Sequence, residues 1–258
     1  MRLCCTHLIG SDGFRSAAGR EVALRRGGTS ALGSFGAYAS LVTSTAMILF
    51  DLDGTLIDGG PGQLASLAHA CRAVDVPVPD EATLRSFIGP PFDEGLGAHF
   101  GLDEHQRARA VAAYRERYVD GGAMLEAVLH PGLAALLDDL RETGYLLGVA
   151  TSKPTPYATR ILERLGVLDR FAGVFGADLA GARARKEDVV GESLFVLDVP
   201  PGATVLVGDT EYDVYGAHAH GVFCVGVLWG IGSRAELEAA GADAIVAAPC
   251  EVSSALPG

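Results

Sequence analysis

Short runs of β-branched and apolar residues recur along this chain from Ala46 onward, and helical stretches separate them. Nearly continuous apolar strands are typical of parallel sheets buried on both faces, because crossover helices cover the two sides. The pattern therefore predicts a doubly wound α/β domain. The strongest candidate strands are Ala46 to Phe50, Leu146 to Ala150, Thr204 to Val207 and Phe223 to Val227, with weaker ones near Val174 and Ile245.

One long gap breaks this alternation. About 90 residues with almost no strand signal lie between the first two strands, far more than one crossover needs. We interpret residues 62–128 as an inserted helical cap, and residues 47–61 with 129–258 as the α/β core. The predicted cap helices are Leu64 to Ala73, one capped by Asp80 that ends near Phe87, Asp93 to Phe100, and Asp103 to Val119.

Residues 1–46 differ from the rest of the chain. They are rich in Ser, Ala and Gly, with five Arg against one Asp and one Glu, and show no sustained period. We expect a disordered leader. It resembles an organelle transit peptide, but a translated region ahead of a true start at Met47 is the simpler explanation. An interaction module in this leader remains an alternative, testable by deletion.

Composition excludes several classes of function. The net charge of −12 disfavours binding to nucleic acid polymers, which would need a local basic patch. No apolar run approaches the roughly 20 residues that cross a bilayer. The five Cys show no CxxC spacing, so neither zinc nor a disulfide framework is indicated. We expect a cytoplasmic globular protein without a membrane partner.

Four histidines are expected to lie apart from one another and to face solvent. They are His69, His99, His105 and His130.

Carboxylates and hydroxyls follow three of the predicted strands. Ligands of an open parallel sheet bind at the carboxyl ends of its strands, so these side chains should meet at one edge. Clustered carboxylates repel one another unless a cation lies among them. Oxygen ligands without His or Cys favour Mg²⁺ over zinc. The residues at this edge are Asp51, Asp53, Thr151, Ser152, Lys153, Asp209 and Asp213.

Lysine usage singles out two further candidates. Of the 20 basic residues, only Lys153 and Lys186 are lysines. A chain so biased towards Arg would fill ordinary surface positions with Arg, so these two are candidates for tasks that need a compact ammonium. The alternative is that both are ordinary surface residues.

Taken in order, these residues resemble the four motifs of the haloacid dehalogenase superfamily, over essentially the whole chain from Ala46. The matching elements are Asp51-Leu52-Asp53-Gly54-Thr55, Thr151 after a strand, Lys186, and Gly208-Asp209 with Asp213. The helical insertion resembles the first type of cap in that superfamily, and the core would be Rossmann-like. Phe87-Ile88-Gly89-Pro90-Pro91 and Trp229-Gly230-Ile231-Gly232-Ser233 resemble the branch of phosphoglycolate phosphatases and 5′-nucleotidases.

The resemblance implies catalytic roles. Asp51 would attack phosphorus and become an aspartyl phosphate. Asp53 would protonate the leaving alkoxide and later deprotonate the attacking water. Thr151 would donate to the transferred phosphoryl group, and Lys186 would neutralise its charge. An acid at Asp53 is, by resemblance, typical of enzymes that act on phosphate esters.

The same resemblance implies a magnesium site. Asp51, the backbone carbonyl of Asp53, and Asp209 would be the ligands of Mg²⁺, and Asp213 would orient Lys186 or a bound water. The Lys-Pro often found at the third motif is Lys186-Glu187 here, which leaves Arg183 and Arg185 as rival cations.

Substrate contacts are expected from three residues. Ser152 stands where many phosphoglycolate phosphatases have Asn, and Lys153 follows it at the same strand end. In the cap, Arg85 and the turn Gly89-Pro90-Pro91 would face the leaving group, although an exposed helical Arg is the alternative.

We therefore expect a Mg²⁺-dependent phosphatase for a small phosphate monoester, acting as a monomer or homodimer. Phosphoglycolate is the first candidate substrate and a nucleoside 5′-monophosphate the second. A hexose phosphomutase and a non-catalytic sensor of a phosphate ligand remain alternatives.

Overall fold

The computed structural model describes residues 45–88, 92–179 and 185–257. All but the last two residues of the predicted leader therefore lie outside the described residues, as do the turn Gly89-Pro90-Pro91 and Arg183. No helix within the described ranges combines the length and apolar character needed to cross a bilayer.

Six parallel strands form the main sheet, in the order β5-β4-β1-β6-β7-β8. Counted along the chain without the two short strands β2 and β3, this is the order 3-2-1-4-5-6 of a Rossmann-like doubly wound sheet. The predicted fold class is confirmed. The strands are β1 Met47–Phe50, β2 Ile57–Asp58, β3 Val128–Leu129, β4 Leu146–Pro154, β5 Gly173–Ala177, β6 Thr204–Gly208, β7 Phe223–Val227 and β8 Ala244–Val246.

Ten α-helices accompany the strands in the described part of the chain, and several begin at side-chain caps. Asp80 Oδ1 accepts the Thr83 N–H at 2.8 Å, and Asp103 forms a capping box with Gln106. The helices are α1 Gly60–Ala73, α2 Glu81–Arg85, α3 Phe92–Phe100, α4 Glu104–Arg115, α5 Leu133–Thr143, α6 Thr155–Arg164, α7 Lys186–Leu197, α8 Glu211–His218, α9 Arg234–Ala240 and α10 Val252–Ala255.

The central strand β1 explains why the sheet is buried on both sides. Its four side chains are completely buried and alternate between two hydrophobic clusters. Ile48 and Phe50 pack in one cluster, whereas Met47 and Leu49 pack in the other. Because successive side chains of a strand point to opposite faces, these clusters are the two layers that hold the helices on the sheet.

Strand register places the ends of the central strands level with one another. Phe50 lies beside Val149 of β4 and Val207 of β6, and the Asp51 N–H donates to the Val207 carbonyl at 2.9 Å. Strand order reverses between β1 and β6, which is the switch point where open α/β sheets bind ligands. Asp51 and Asp209 therefore leave the sheet side by side.

Helices α1 to α4 have a hydrophobic cluster of their own, which includes Leu67, Leu84 and Leu96. Helix α1 begins at Gly60, ahead of the predicted Leu64, because Pro61 suits the first helical turn. Helix α4 ends at Arg115 instead of Val119 and continues as a π-helical turn, Glu116–Asp120. The limits 62–128 for the cap stay a prediction.

The two-residue strands β2 and β3 were not predicted from the sequence. They pair antiparallel where the chain leaves the core and returns to it, with Ile57 opposite Leu129 and Asp58 opposite Val128. Two residues are too few to show a periodic pattern, which explains why sequence reasoning missed them.

Candidate active site

Asp51 follows β1 directly and is buried. The ammonium of Lys186 lies 2.6 Å from Asp51 Oδ1 and donates to the Ala150 carbonyl at 3.1 Å. Lys186 is the first residue of α7, so the helix start carries its side chain into the edge of the sheet. The structure thus brings together the predicted nucleophile and the predicted motif lysine.

Asp213 holds Lys186 from the other side. Its Oδ1 lies 2.7 Å from Lys186 Nζ, and its Oδ2 accepts the Asp209 and Thr210 N–H groups at 3.2 and 3.0 Å. The Thr210 hydroxyl donates to the same oxygen at 2.9 Å. Asp213 therefore fixes both the ammonium and the loop after β6.

Asp209 is oriented by two groups to which sequence reasoning gave no role. The Thr55 hydroxyl donates to Oδ1 and the Ile231 N–H donates to Oδ2, each at 2.8 Å. The Trp229 indole in turn donates to the Thr55 carbonyl at 2.9 Å. The signals were present, since Thr55 and Ile231 lie in segments already noted, but a motif does not show which atoms meet.

Three buried carboxylates, those of Asp51, Asp209 and Asp213, have oxygens within 4.8 Å of one another. Burial raises the pKa of Asp51 to about 6, with Lys186 opposing the shift and Asp213 adding to it. Burial and then the charges of Asp213 and Asp51 raise the pKa of Asp209 to about 8. Burial is thus the main reason why both carboxyl groups hold their protons more tightly, and the neighbouring carboxylates add to it.

This charge balance tests whether a metal ion fits. With all three carboxylates ionised, Lys186 would leave two negative charges uncompensated, which a divalent cation would neutralise. The carboxylate donors suit Mg²⁺, and they include no His or Cys. The predicted ligands Asp51 and Asp209 fit such a site, and Asp213 lies beside them.

Gly54 gives Asp209 the space it occupies. Its φ of +86° is a left-handed conformation, and a Cβ there would collide with the Asp209 carboxylate. The glycine of the Asp51-Leu52-Asp53-Gly54-Thr55 segment is thus required twice, for the turn and for the close approach.

Asp53 is paired with a lysine of the neighbouring strand. Its Oδ2 lies 2.7 Å from Lys153 Nζ, while its Oδ1 is buried and has no hydrogen-bond partner among the described residues. The Lys153 ammonium lies 5.0 Å from the centre of the Tyr118 ring. Lys153 contacts the predicted acid–base residue, and its contact with substrate stays a prediction.

Thr151 and Ser152 lie at the same edge of the sheet. Thr151 is buried, and its hydroxyl accepts the Lys153 N–H at 3.2 Å. Ser152 is partly buried. Arg185 is no rival to Lys186, because its side chain is 78% exposed and lies 3.4 Å from Glu187.

A small cavity lies next to Asp209, since Gly54 and Ile231, which contact or surround its carboxylate, line the cavity. Arg85 lines it, and its Nε and Nη2 donate to Glu81 at 3.0 and 2.9 Å. His130 also lines it; the expectation that this histidine faces solvent is wrong, because β3 carries it against the turn after β1. Burial lowers the pKa of His130. The lining is Gly54, Asp58, Gly59, Gly60, Gln63, Arg85, Ile88, His130, Trp229, Gly230 and Ile231.

Comparison with known proteins places this site in context. The profile of a family described as haloacid dehalogenase-like hydrolase matches residues 48–227. The tyrosine-protein kinase PtkA of Mycobacterium tuberculosis is 41% identical over 189 residues, which cover 73% of this chain and 64% of that protein. The chain thus spans less than two thirds of that relative's length.

Two further relatives match over most of their length. A 5′-nucleotidase of Pseudomonas aeruginosa is 37% identical over 192 residues, covering 74% of this chain and 86% of that protein. A phosphoglycolate phosphatase of Salmonella typhimurium is 30% identical over 210 residues, covering 71% of this chain and 81% of that protein. The crystal structure of a predicted phosphatase from Clostridium acetobutylicum has a TM-score of 0.78 and 34% identity, covering 82% of this chain and 97% of that one.

Proposed function

The chain belongs to the haloacid dehalogenase-like hydrolase family; from this premise, we propose that it is a phosphoric monoester hydrolase that cleaves its substrate through a phosphorylated Asp51 and depends on Mg²⁺. The observation that carries the proposal is the placement of Asp51 at the switch point, with one carboxylate oxygen held by Lys186. The other oxygen is left to attack phosphorus.

The reaction follows from the groups around Asp51. An Asp51 oxygen forms a bond to phosphorus while the ester bond to the leaving alkoxide breaks, and Asp53 gives that alkoxide a proton. Asp53 then takes a proton from water, whose oxygen attacks the same phosphorus. Phosphate leaves and the Asp51 carboxylate is restored.

The remaining polar groups stabilise charge. Thr151 and Lys186 would bind the phosphoryl oxygens, which gain negative charge as the leaving group departs. Asp51, Asp209 and the backbone carbonyl of Asp53 would hold Mg²⁺, whose charge would neutralise these oxygens and the clustered carboxylates. Asp213 would keep Lys186 in place by their 2.7 Å contact.

For the substrate we propose a small phosphate monoester, with phosphoglycolate first. The small adjoining cavity, with Arg85 in its lining, suits a short leaving group that carries a negative charge. A nucleoside 5′-monophosphate is the second candidate, favoured by the 37% identity to the Pseudomonas 5′-nucleotidase.

The test is phosphate release by the purified protein from phosphoglycolate, nucleoside monophosphates and hexose phosphates, with Mg²⁺ or with EDTA. We expect Mg²⁺-dependent release that Asp51→Asn lowers by roughly 10⁴-fold or more. Asp138→Asn is the matched control and should leave release unchanged, because Asp138 is a partly exposed aspartate paired with Arg170.

Three other outcomes would overturn the proposal. Transfer of phosphate between positions of a sugar without release would indicate a phosphomutase. Binding of phosphate esters with no turnover would indicate a sensor. Phosphorylation of a tyrosine peptide from ATP, the activity that the name PtkA implies for that relative, would indicate a kinase.

A further inference from the structure

We infer that Lys153 is a positioning residue that holds the Asp53 carboxyl by Oδ2, so that Oδ1 is the oxygen that exchanges the proton with the leaving group. The inference rests on the proposed function of the site. Its basis is the 2.7 Å contact between Lys153 Nζ and Asp53 Oδ2, with side chains only 7% and 12% exposed. An ion pair so shielded from water is stronger than one at the surface.

The backbone of β4 directs Lys153 towards Asp53. The pairing of β4 with β5 shifts register between Thr151 and Pro154, and the Lys153 N–H bonds to the Thr151 hydroxyl within this irregularity. Such a shift redirects side chains next to active sites. Two residues of β4 thus serve different tasks, Thr151 at the phosphoryl group and Lys153, two residues later, at the acid.

Two tyrosines from α4 and the π-helical turn after it lie close to the ion pair of Lys153 and Asp53. Tyr118 is buried, its ring lies 5.0 Å from Lys153 Nζ, and it stacks on Tyr114 with ring centres 5.0 Å apart. A cation over an aromatic face is stabilised, more so where water is excluded. Tyr118 belongs to the π-helical turn after α4, and such turns are frequent at functional sites.

The two oxygens of Asp53 are therefore not equivalent. Oδ2 is committed to Lys153, whereas Oδ1 has no partner among the described residues. Oδ1 lies beside Gly59, where a Cβ would be 3.4 Å away, and Gly59 lines the cavity assigned to the leaving group. Holding one oxygen fixes the direction of the other, which removes orientational freedom before the reaction.

This role differs from the substrate contact predicted for Lys153. A lysine that bound the phosphoryl group would affect all phosphate esters alike, since that group is common to them. A lysine that positions the acid matters most where the leaving group is a strongly basic alkoxide, and little where it is a stable anion that needs no proton.

The experiment compares kcat/KM for phosphoglycolate and for p-nitrophenyl phosphate in the wild type, Lys153→Met and Lys153→Arg. We expect Lys153→Met to lose about 10²-fold with phosphoglycolate and less than about 10-fold with p-nitrophenyl phosphate. Lys153→Arg is the conservative variant, because it keeps the positive charge beside Asp53. It should show a smaller loss with the same dependence on the leaving group. Circular dichroism and thermal unfolding verify that both variants fold.

Asp53→Asn completes the test, alone and combined with Lys153→Met. If Lys153 acts through Asp53, the double variant is no slower than Asp53→Asn alone, because the second change removes nothing further. Equal losses on both substrates, or additive losses in the double variant, would overturn the inference while leaving the phosphatase intact. Absence of phosphate release by the wild type would instead overturn the proposed function, and this inference with it.

Discussion

The Lys186 ammonium lies 2.6 Å from one carboxylate oxygen of Asp51, and both side chains are buried. This contact joins the start of a helix to the end of a strand 135 residues earlier in the chain. Asp213 holds the same ammonium at 2.7 Å. The charges of Asp213 and Asp51 raise the pKa of Lys186 against the effect of burial, so the lysine stays charged.

Removal of this ammonium should cost both stability and turnover. Lys186→Met leaves Asp51 and Asp213 buried without their counter-charge, and we expect unfolding free energy to fall by about 3–5 kcal/mol in urea titrations. Lys186→Met with Asp213→Asn should recover part of the stability but no phosphate release. Arg170→Met, which breaks a more exposed pair with Asp138, is the control and should cost about 1 kcal/mol or less. A stable, active Lys186→Met would contradict the assignment.

Stabilisation by Mg²⁺ should grow with pH. The pKa values of Asp51 and Asp209 rise from 3.8 to about 6 and about 8, so without metal the folded protein binds these protons more tightly than the unfolded chain. Their contribution is therefore present at low pH and is lost as pH rises through about 6 and about 8. Mg²⁺ competes with the protons for the carboxylates, so its affinity for the folded protein rises as the protons dissociate.

The measurement is the thermal midpoint in Mg²⁺ minus that in EDTA, taken from pH 5 to pH 8.5. Asp209→Asn removes a ligand and should abolish most of the difference at every pH. A Mg²⁺ effect of equal size across this range in the wild type would contradict the carboxylate site.

Gly54→Ala should disable the site by moving Asp209. The new Cβ meets the carboxylate, and a misplacement of about 1 Å can lower turnover roughly 10²-fold. Gly144→Ala is the matched control, since Gly144 also has a left-handed φ of +103° but a Cβ there meets nothing within 4 Å. Both variants should lose about 1–2 kcal/mol of stability from backbone strain, measured in urea, but only Gly54→Ala should lose Mg²⁺-dependent release.

Arg85→Ala should change the choice of substrate. Loss of a charged donor from the cavity should shift the ratio of kcat/KM for phosphoglycolate and a nucleoside monophosphate by about 10-fold or more. Arg234→Ala removes an arginine from a comparable helical pair with Glu238 and does not line the cavity, so it should leave the ratio unchanged. An unaltered ratio in Arg85→Ala would remove this residue from the site.

The sheet, and the meeting of the polar residues at its strand ends, were predictable from the sequence. Strands β1, β4, β6 and β7 are apolar on both faces, a local property, and parallel strands must end at a common edge. Asp51 and Asp209 follow their strands directly and Thr151 lies in β4 near the same edge, so pairing the strands was enough to bring them together. Lysine usage singled out Lys186 as a candidate, and the resemblance to a known superfamily gave it a role.

Other features depended on contacts between distant segments. Nothing local to Lys153 shows that its ammonium lies on Asp53, because a shift of register in β4 and a π-helical turn of another segment direct it there. The partial burial of His130 likewise depends on two-residue strands too short to have a period. The sequence by itself thus determined which groups reach the edge of the sheet, because the apolar pattern of each strand shows where that strand ends. Only the tertiary structure decided which of them pair, because ion pairs form between side chains that packing, and not chain order, makes neighbours.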